Sequence, residues 1–234
     1  MRRNYYGEGD SFAYRVDEYE APSFAGELSA RAFNLLLGGT LLWGFFVNFL
    51  LCTVFGDAIL GMDPIVLLIS YIVLALVGIL LTMRSDSAVV SFIGYNMVVV
   101  PLGLVLTFYV SAFEGVTVAT AFLVTALTTL TIMLLSAAFP NTFIGFGPIL
   151  GVTLVTVLII DLVFSLIGGF VGLGMIDWIV TFLFCGYIGY DFALAQSGEK
   201  TANRAIDGAC ALYVDIVNLF MRILAILGKS SRDR

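Results

Sequence analysis

Two aspartates stand inside apolar sequence toward the carboxyl end of the chain: Asp191 in Tyr187-Ile188-Gly189-Tyr190-Asp191-Phe192, and Asp215 in Leu212-Tyr213-Val214-Asp215-Ile216-Val217-Asn218-Leu219-Phe220. A carboxylate facing hydrocarbon costs about 3 kcal/mol on insertion scales, so these two are expected to face each other, an arginine or a wet cavity. Two carboxylates that meet in a low-dielectric site cannot both ionise cheaply and therefore share a proton. A shared proton makes a charge that changes with pH without histidine, and the chain has no histidine. The same pair could instead be static, fixing helix register. Asp161, Asn218 and Arg222 also interrupt apolar runs. Asp215, Asn218 and Arg222 fall at i, i+3 and i+7, hence on one helical face that must point inward and could line a pathway. Asp161 and Arg222 are expected to form a structural ion pair rather than a second ion site.

The elements that position these groups follow from composition. Hydrophobic residues make up 60% of the 234 residues, charged residues 12%, and mean hydropathy is +1.05. These values describe an all-α polytopic membrane protein, since about 20 apolar residues cross a bilayer as a helix. Seven spans are expected, at residues 32–55, 64–84, 88–113, 116–139, 146–167, 176–195 and 205–227, the last being the most polar. The chain divides into a polar tail (1–30), a helical bundle (31–228) and a short carboxyl tail (229–234). The polar tail lacks the charged, apolar and small-residue sequence of a removable signal peptide. Asp63-Pro64 marks a helix start, Pro101 a kink, and the threonines of the fourth span can bond their own helix or a neighbour. Asp207 and Glu199 lie near the last turn and are expected to face solvent, while Tyr187, Tyr190 and Tyr213 either anchor at the interface or cap the carboxylates.

Charge and cysteine usage exclude other classes. A net charge of −6 and a pI near 4.5 leave no basic stripe for nucleic acid. Cys52, Cys185 and Cys210 lie in apolar runs without ligand spacing and read as small core residues. Gly145 with Gly147, and the glycines of 168–174, precede no phosphate-reading lysine, so they are packing or turn residues. No resident metal or other cofactor is expected. Arg31, Arg84, Lys200 and Arg204 fall on one side of the membrane, which places the amino terminus in the cytoplasm. A seventh crossing puts Lys229, Arg232 and Arg234 on the opposite side, so the last helix either re-enters or runs through the bundle centre against that rule.

The two aspartate segments, the closing Ile226-Leu227-Gly228, and Met83-Arg84 followed by Ala88-Val89 resemble the transmembrane Bax inhibitor motif family, above all its bacterial members. The resemblance spans the bundle, and its sharpest part is the aspartate pair with a spacing of 24 residues (215 − 191). It implies a seven-helix bundle with the last helix central and a pH-sensitive calcium leak. Asp191 and Asp215 match the family's pH sensor, Arg84 matches the arginine that pairs with the first aspartate, and Val73 stands where some relatives carry glutamate. Calcium is then a permeant ion, with Asp191 and Asp215 as candidates for its pathway, and the bacterial plasma membrane is the expected location. A scaffold that modulates other membrane proteins is the alternative that eukaryotic relatives imply.

Two aspartates on neighbouring membrane helices also suit an intramembrane aspartyl protease, in which they serve as acid and base. Tyr190-Asp191 is similar to one motif of presenilin-like proteases. The second, Gly-x-Gly-Asp, is absent: Gly172-Leu173-Gly174 leads to Met175, and Asp215 follows Leu212-Tyr213-Val214. No enzyme is expected. In an antiparallel hairpin the two aspartates lie at equal depth if the turn centres on Asn203, whereas centring near Lys200 offsets them by about 9 Å.

Overall fold

The computed structural model describes residues 26–167 and 174–232. Seven long helices are present among them: α1 (Ala30–Thr53), α3 (Pro64–Arg84), α4 (Ala88–Ser111), α5 (Gly115–Ala138), α7 (Gly147–Ile167), α8 (Gly174–Gln196) and α9 (Ala202–Arg232). Two short helices that hydropathy does not reveal, α2 (Gly56–Leu60) and α6 (Pro140–Gly145), sit in the turns before α3 and α7. The glycine turn at 168–173 and the first 25 residues lie outside the described residues.

Local chemistry sets several helix starts. Asp63 Oδ1 accepts from the backbone N of Ile65 at 2.8 Å and of Val66 at 3.2 Å, while Pro64 needs no partner for an N–H it lacks. Ser29 caps α1 through Ala32 N at 3.2 Å. Pro101 is buried within α4, which continues through it. Six helices are long and apolar enough to cross a membrane, and α7 adds a shorter apolar stretch, Gly147–Ile160. Their outward faces carry Leu42, Phe46, Ile65, Met83, Phe122, Leu134 and Val152, all exposed, as lipid-facing residues must be. Between α3 and α4, a Cβ on Gly94 would stand 2.7 Å from the carbonyl of Gly78, so both positions must be bare for the backbones to meet.

The last helix is the centre of the bundle. It packs against α1, α4, α5 and α8. Ala205, Ala209, Leu212, Tyr213, Leu219 and Leu224 on it are fully buried. With 31 residues it is about 46 Å long, more than the roughly 30 Å of hydrocarbon. Its start shares an end of the bundle with Leu28 and Ser85: Leu28 N donates to Lys200 O at 2.6 Å, and Asn203 Nδ2 to Ser85 O at 2.9 Å. Its finish lies at the opposite end, where Gly228 packs on Phe113 and Lys229 meets Asp177 near the start of α8. Between the two explanations of its basic tail, the geometry selects a helix that runs the full length of the bundle.

Candidate functional site

The α8–α9 hairpin builds the site. Ala195 packs on Gly208, whose added Cβ would lie 2.9 Å from that of Ala195. The midpoint of those two positions, (195 + 208)/2, falls between Thr201 and Ala202. That point lies midway between Lys200 and Asn203, while the Asp177–Lys229 contact, (177 + 229)/2, centres the hairpin on Asn203, so the two aspartates come to one depth. Their carboxyl groups lie side by side, within hydrogen-bonding reach. Asp215 is buried, and its Oδ2 has no hydrogen-bond partner among the described residues; Asp191 is half-buried. Tyr187, one turn before Asp191, stands close enough to feel the charge of both.

Neighbouring helices hold this pair in place. Ser136 Oγ, fully buried on α5, donates to the carbonyl of Gly189 at 2.6 Å. Phe143 of α6 lies on Gly189, and Tyr190 lies on Gly147, so side chains at either glycine would push α6 and α7 off the hairpin. Three of the six α5 threonine hydroxyls, those of Thr120, Thr125 and Thr131, turn onto their own helix, Thr125 to Ala121 O at 2.7 Å. Thr129 differs, with a buried hydroxyl that has no partner.

A second polar cluster fixes the other face of α9. Tyr213 Oη accepts from Asn48 Nδ2 at 2.7 Å and donates to Val99 O at 3.4 Å, while Tyr95 Oη donates to Thr40 O at 2.8 Å. The two tyrosine rings meet edge to face at 5.7 Å. Tyr213 thus anchors α9 to α1 and α4 and does not cap a carboxylate.

The end of the bundle that holds the hairpin turn gathers the remaining sequence candidates. Arg84, the last residue of α3, is exposed, and among the described residues it forms no ion pair with Asp191 or any other group. Glu199 is exposed, but Asp207 is half-buried, contrary to the expectation of a solvent-facing carboxylate. Asn203 explains the difference. It receives a hydrogen bond from Ser91 Oγ at 2.7 Å and donates to Asp207 Oδ2 at 2.9 Å, drawing that carboxylate onto the α3–α4 turn. Lys200 bonds the carbonyl of Gln196 at 2.6 Å and lies 4.5 Å above the Phe33 ring, and burial lowers its affinity for a proton.

At the far end, Asp177 binds two cations. Its Oδ1 accepts from Arg222 at 3.1 Å and its Oδ2 from Lys229 at 2.5 Å, with the Asp177 side chain 5% exposed. Arg222 therefore has Asp177 as its partner, where Asp161 was expected; the Asp161 side chain lies outside the described residues. Asn218 Nδ2 turns back to Val214 O at 2.8 Å. Asp177 escaped the sequence reading because it sits at the edge of the sixth span. A usable signal existed: 177 + 229 and 191 + 215 both equal 406, so the two contacts obey one antiparallel register.

The cysteines are free, and among the described residues no group of three or more metal-ligating side chains gathers. Two carboxylates in a central, largely buried seam can exchange a proton and attract a passing cation, but do not form a cage for a resident one.

These features define a multi-pass α-helical membrane protein with an acidic pair at its core. The model of the family described as inhibitor of apoptosis-promoting Bax1 matches residues 27–232, and the chain belongs to that family. No curated protein matches the chain.

Proposed function

We propose that this protein is a pH-sensitive calcium leak of the bacterial plasma membrane, gated by the Asp191–Asp215 pair. The observation that carries the reading is the meeting of the Asp191 carboxyl on α8 with that of Asp215 on the central helix, where Asp215 Oδ2 is buried and unpartnered among the described residues. When both carboxyls are ionised the pair repels, and α8 moves against α9; a single shared proton replaces repulsion by a hydrogen bond. Calcium is the cargo, and Asp191 and Asp215 line its path. The family resemblance supplies calcium and supports Arg84 as a partner of Asp191 in another gating state. The amino-terminal end faces the cytoplasm in this reading, since Arg31, Arg84, Lys200 and Arg204 gather there. Lys229 at the opposite end is consistent with that orientation because Asp177 neutralises part of the charge.

The family's description as an inhibitor of apoptosis-promoting Bax1 favours a second reading, a scaffold that modulates other membrane proteins. Purified protein in liposomes separates the two. A leak admits calcium with no partner present and does so to a different extent as pH is stepped; a scaffold admits none at any pH.

A further inference from the structure

We propose that Arg222 is the counter-ion of the aspartate pair, held in reserve one heptad away by Asp177. The inference rests on the reading that Asp191 and Asp215 share a proton, but not on conduction.

The stripe itself is the first observation. Asp215, Arg222 and Lys229 recur every seven residues on α9, and Asp177, Phe184 and Asp191 recur every seven on α8. A spacing of seven returns nearly to the same helical face, about 10 Å further along the axis. The contacts confirm that both stripes face the same seam, because Asp177 touches Arg222 and Lys229 while Asp191 touches Asp215. Charge is unevenly shared along it. Asp177 holds two cations against one carboxyl, whereas the aspartate pair holds two carboxyls and, among the described residues, no cation. One cation is surplus at one station, and one is lacking at the other.

Geometry decides which cation can move. Lys229 stands two heptads from Asp215, about 21 Å, beyond the reach of a side chain. Arg222 stands one heptad away, and an extended arginine facing an aspartate spans most of that gap. Helical side chains also lean toward the helix amino terminus, which on α9 is the direction of Asp215. In the present structure Asp177 draws Arg222 the other way. If the aspartate pair gains its second negative charge, Arg222 can turn back to it, and Asp177 keeps Lys229 as its partner. Asp177 is thereby never left buried without a cation.

Among the described residues the surroundings offer no nearer competitor. Around the seam, α8 carries Asp177, Tyr187, Tyr190 and Asp191, and α9 carries Asp215 and Lys229. Tyr109 of α4 lies near Arg222 and donates to Met221 O at 3.0 Å. The described residues of α5 contribute hydroxyls alone, and α7 carries Asp161, whose side chain lies outside the described residues. Arg84 is exposed at the end of α3.

The test is an infrared titration of the purified full-length protein in detergent, reading the protonated-carboxyl band that Asp215→Asn removes. Arg222→Gln takes away the counter-ion, so the band is expected to persist to a pH about one unit higher than in wild type. Asp177→Asn releases Arg222 toward the pair, so the band is expected to vanish about one unit lower. Arg222→Lys is expected to restore most of the wild-type curve. Should Asp177→Asn fail to fold, Arg222→Gln and its lysine rescue still decide the matter, because Lys229 continues to neutralise Asp177 in both. A wild-type curve retained by Arg222→Gln overturns the proposal, even if that variant melts earlier, since a mere clamp between α8 and α9 changes stability without moving the titration. Absence of any protonated-carboxyl band in wild type would instead remove the shared proton itself. Absence of calcium flux with shifted curves would remove the leak and leave the counter-ion standing.

Discussion

Replacing either Asp191 or Asp215 by Asn should flatten the pH response of calcium flux. The magnitude follows from the contact between the two carboxyl groups. Two unit charges about 4 Å apart repel by about 4 kcal/mol at an effective dielectric of about 20. At about 1.4 kcal/mol per decade, this can bias a two-state helix arrangement by up to roughly a thousandfold between the singly and doubly ionised pair. An asparagine cannot acquire the charge, so that bias falls to nothing while the side-chain volume stays nearly the same. Asn can still donate a hydrogen bond to the remaining carboxylate, so the bundle should stay folded. The assay is calcium entry into liposomes containing purified protein, with external calcium fixed and pH stepped over roughly 5 to 8. Wild type should change its flux across that range, and each Asn variant should give one rate throughout. If both variants retain the wild-type pH profile, the aspartate pair is not the sensor.

Arg84→Ala should shift the balance between conducting and closed forms yet melt with wild type, since Arg84 is exposed and holds no ion pair among the described residues; identical flux at every pH would remove it from the mechanism and leave Arg222 as the proposed counter-ion. Tyr213→Phe should cost about 1–3 kcal/mol in reversible denaturation, because Asn48, buried and already with an unpartnered Oδ1, loses its 2.7 Å acceptor. Adding Asn48→Leu should recover part of that loss, and additive losses would mean that the two side chains do not share their cost. Gly94→Leu should detach α3 from α4, measured as loss of a disulfide engineered between the helices; an unimpaired cross-link would refute the close approach at Gly78.

The one-dimensional pattern was enough to establish the membrane class, the long helices and the acidic pair. Hydropathy requires only that about 20 residues share a solvent, and a charge inside such a run stands out because hydrocarbon penalises it. The caps at Asp63-Pro64 were legible for the same local reason. The short helices α2 and α6 were not, since each is too brief to impose a period of its own. Nor could spacing alone bring Asp191 to Asp215. That depended on where the hairpin turns, and the register shows in the folded contact of Asp177 with Lys229. Asp207 looked like a solvent-facing residue until Asn203, one turn before it and bonded to Ser91 far back in the sequence, drew it inward. The partner of Arg222 was decided in the same way. Sequence marked a cation that needed a carboxylate and pointed to Asp161, and only the antiparallel register of α8 and α9 placed Asp177 against it. Burial cost is a property of each residue and its neighbours along the chain, whereas pairing depends on the crossing and register of helices, which the chain fixes only when it folds.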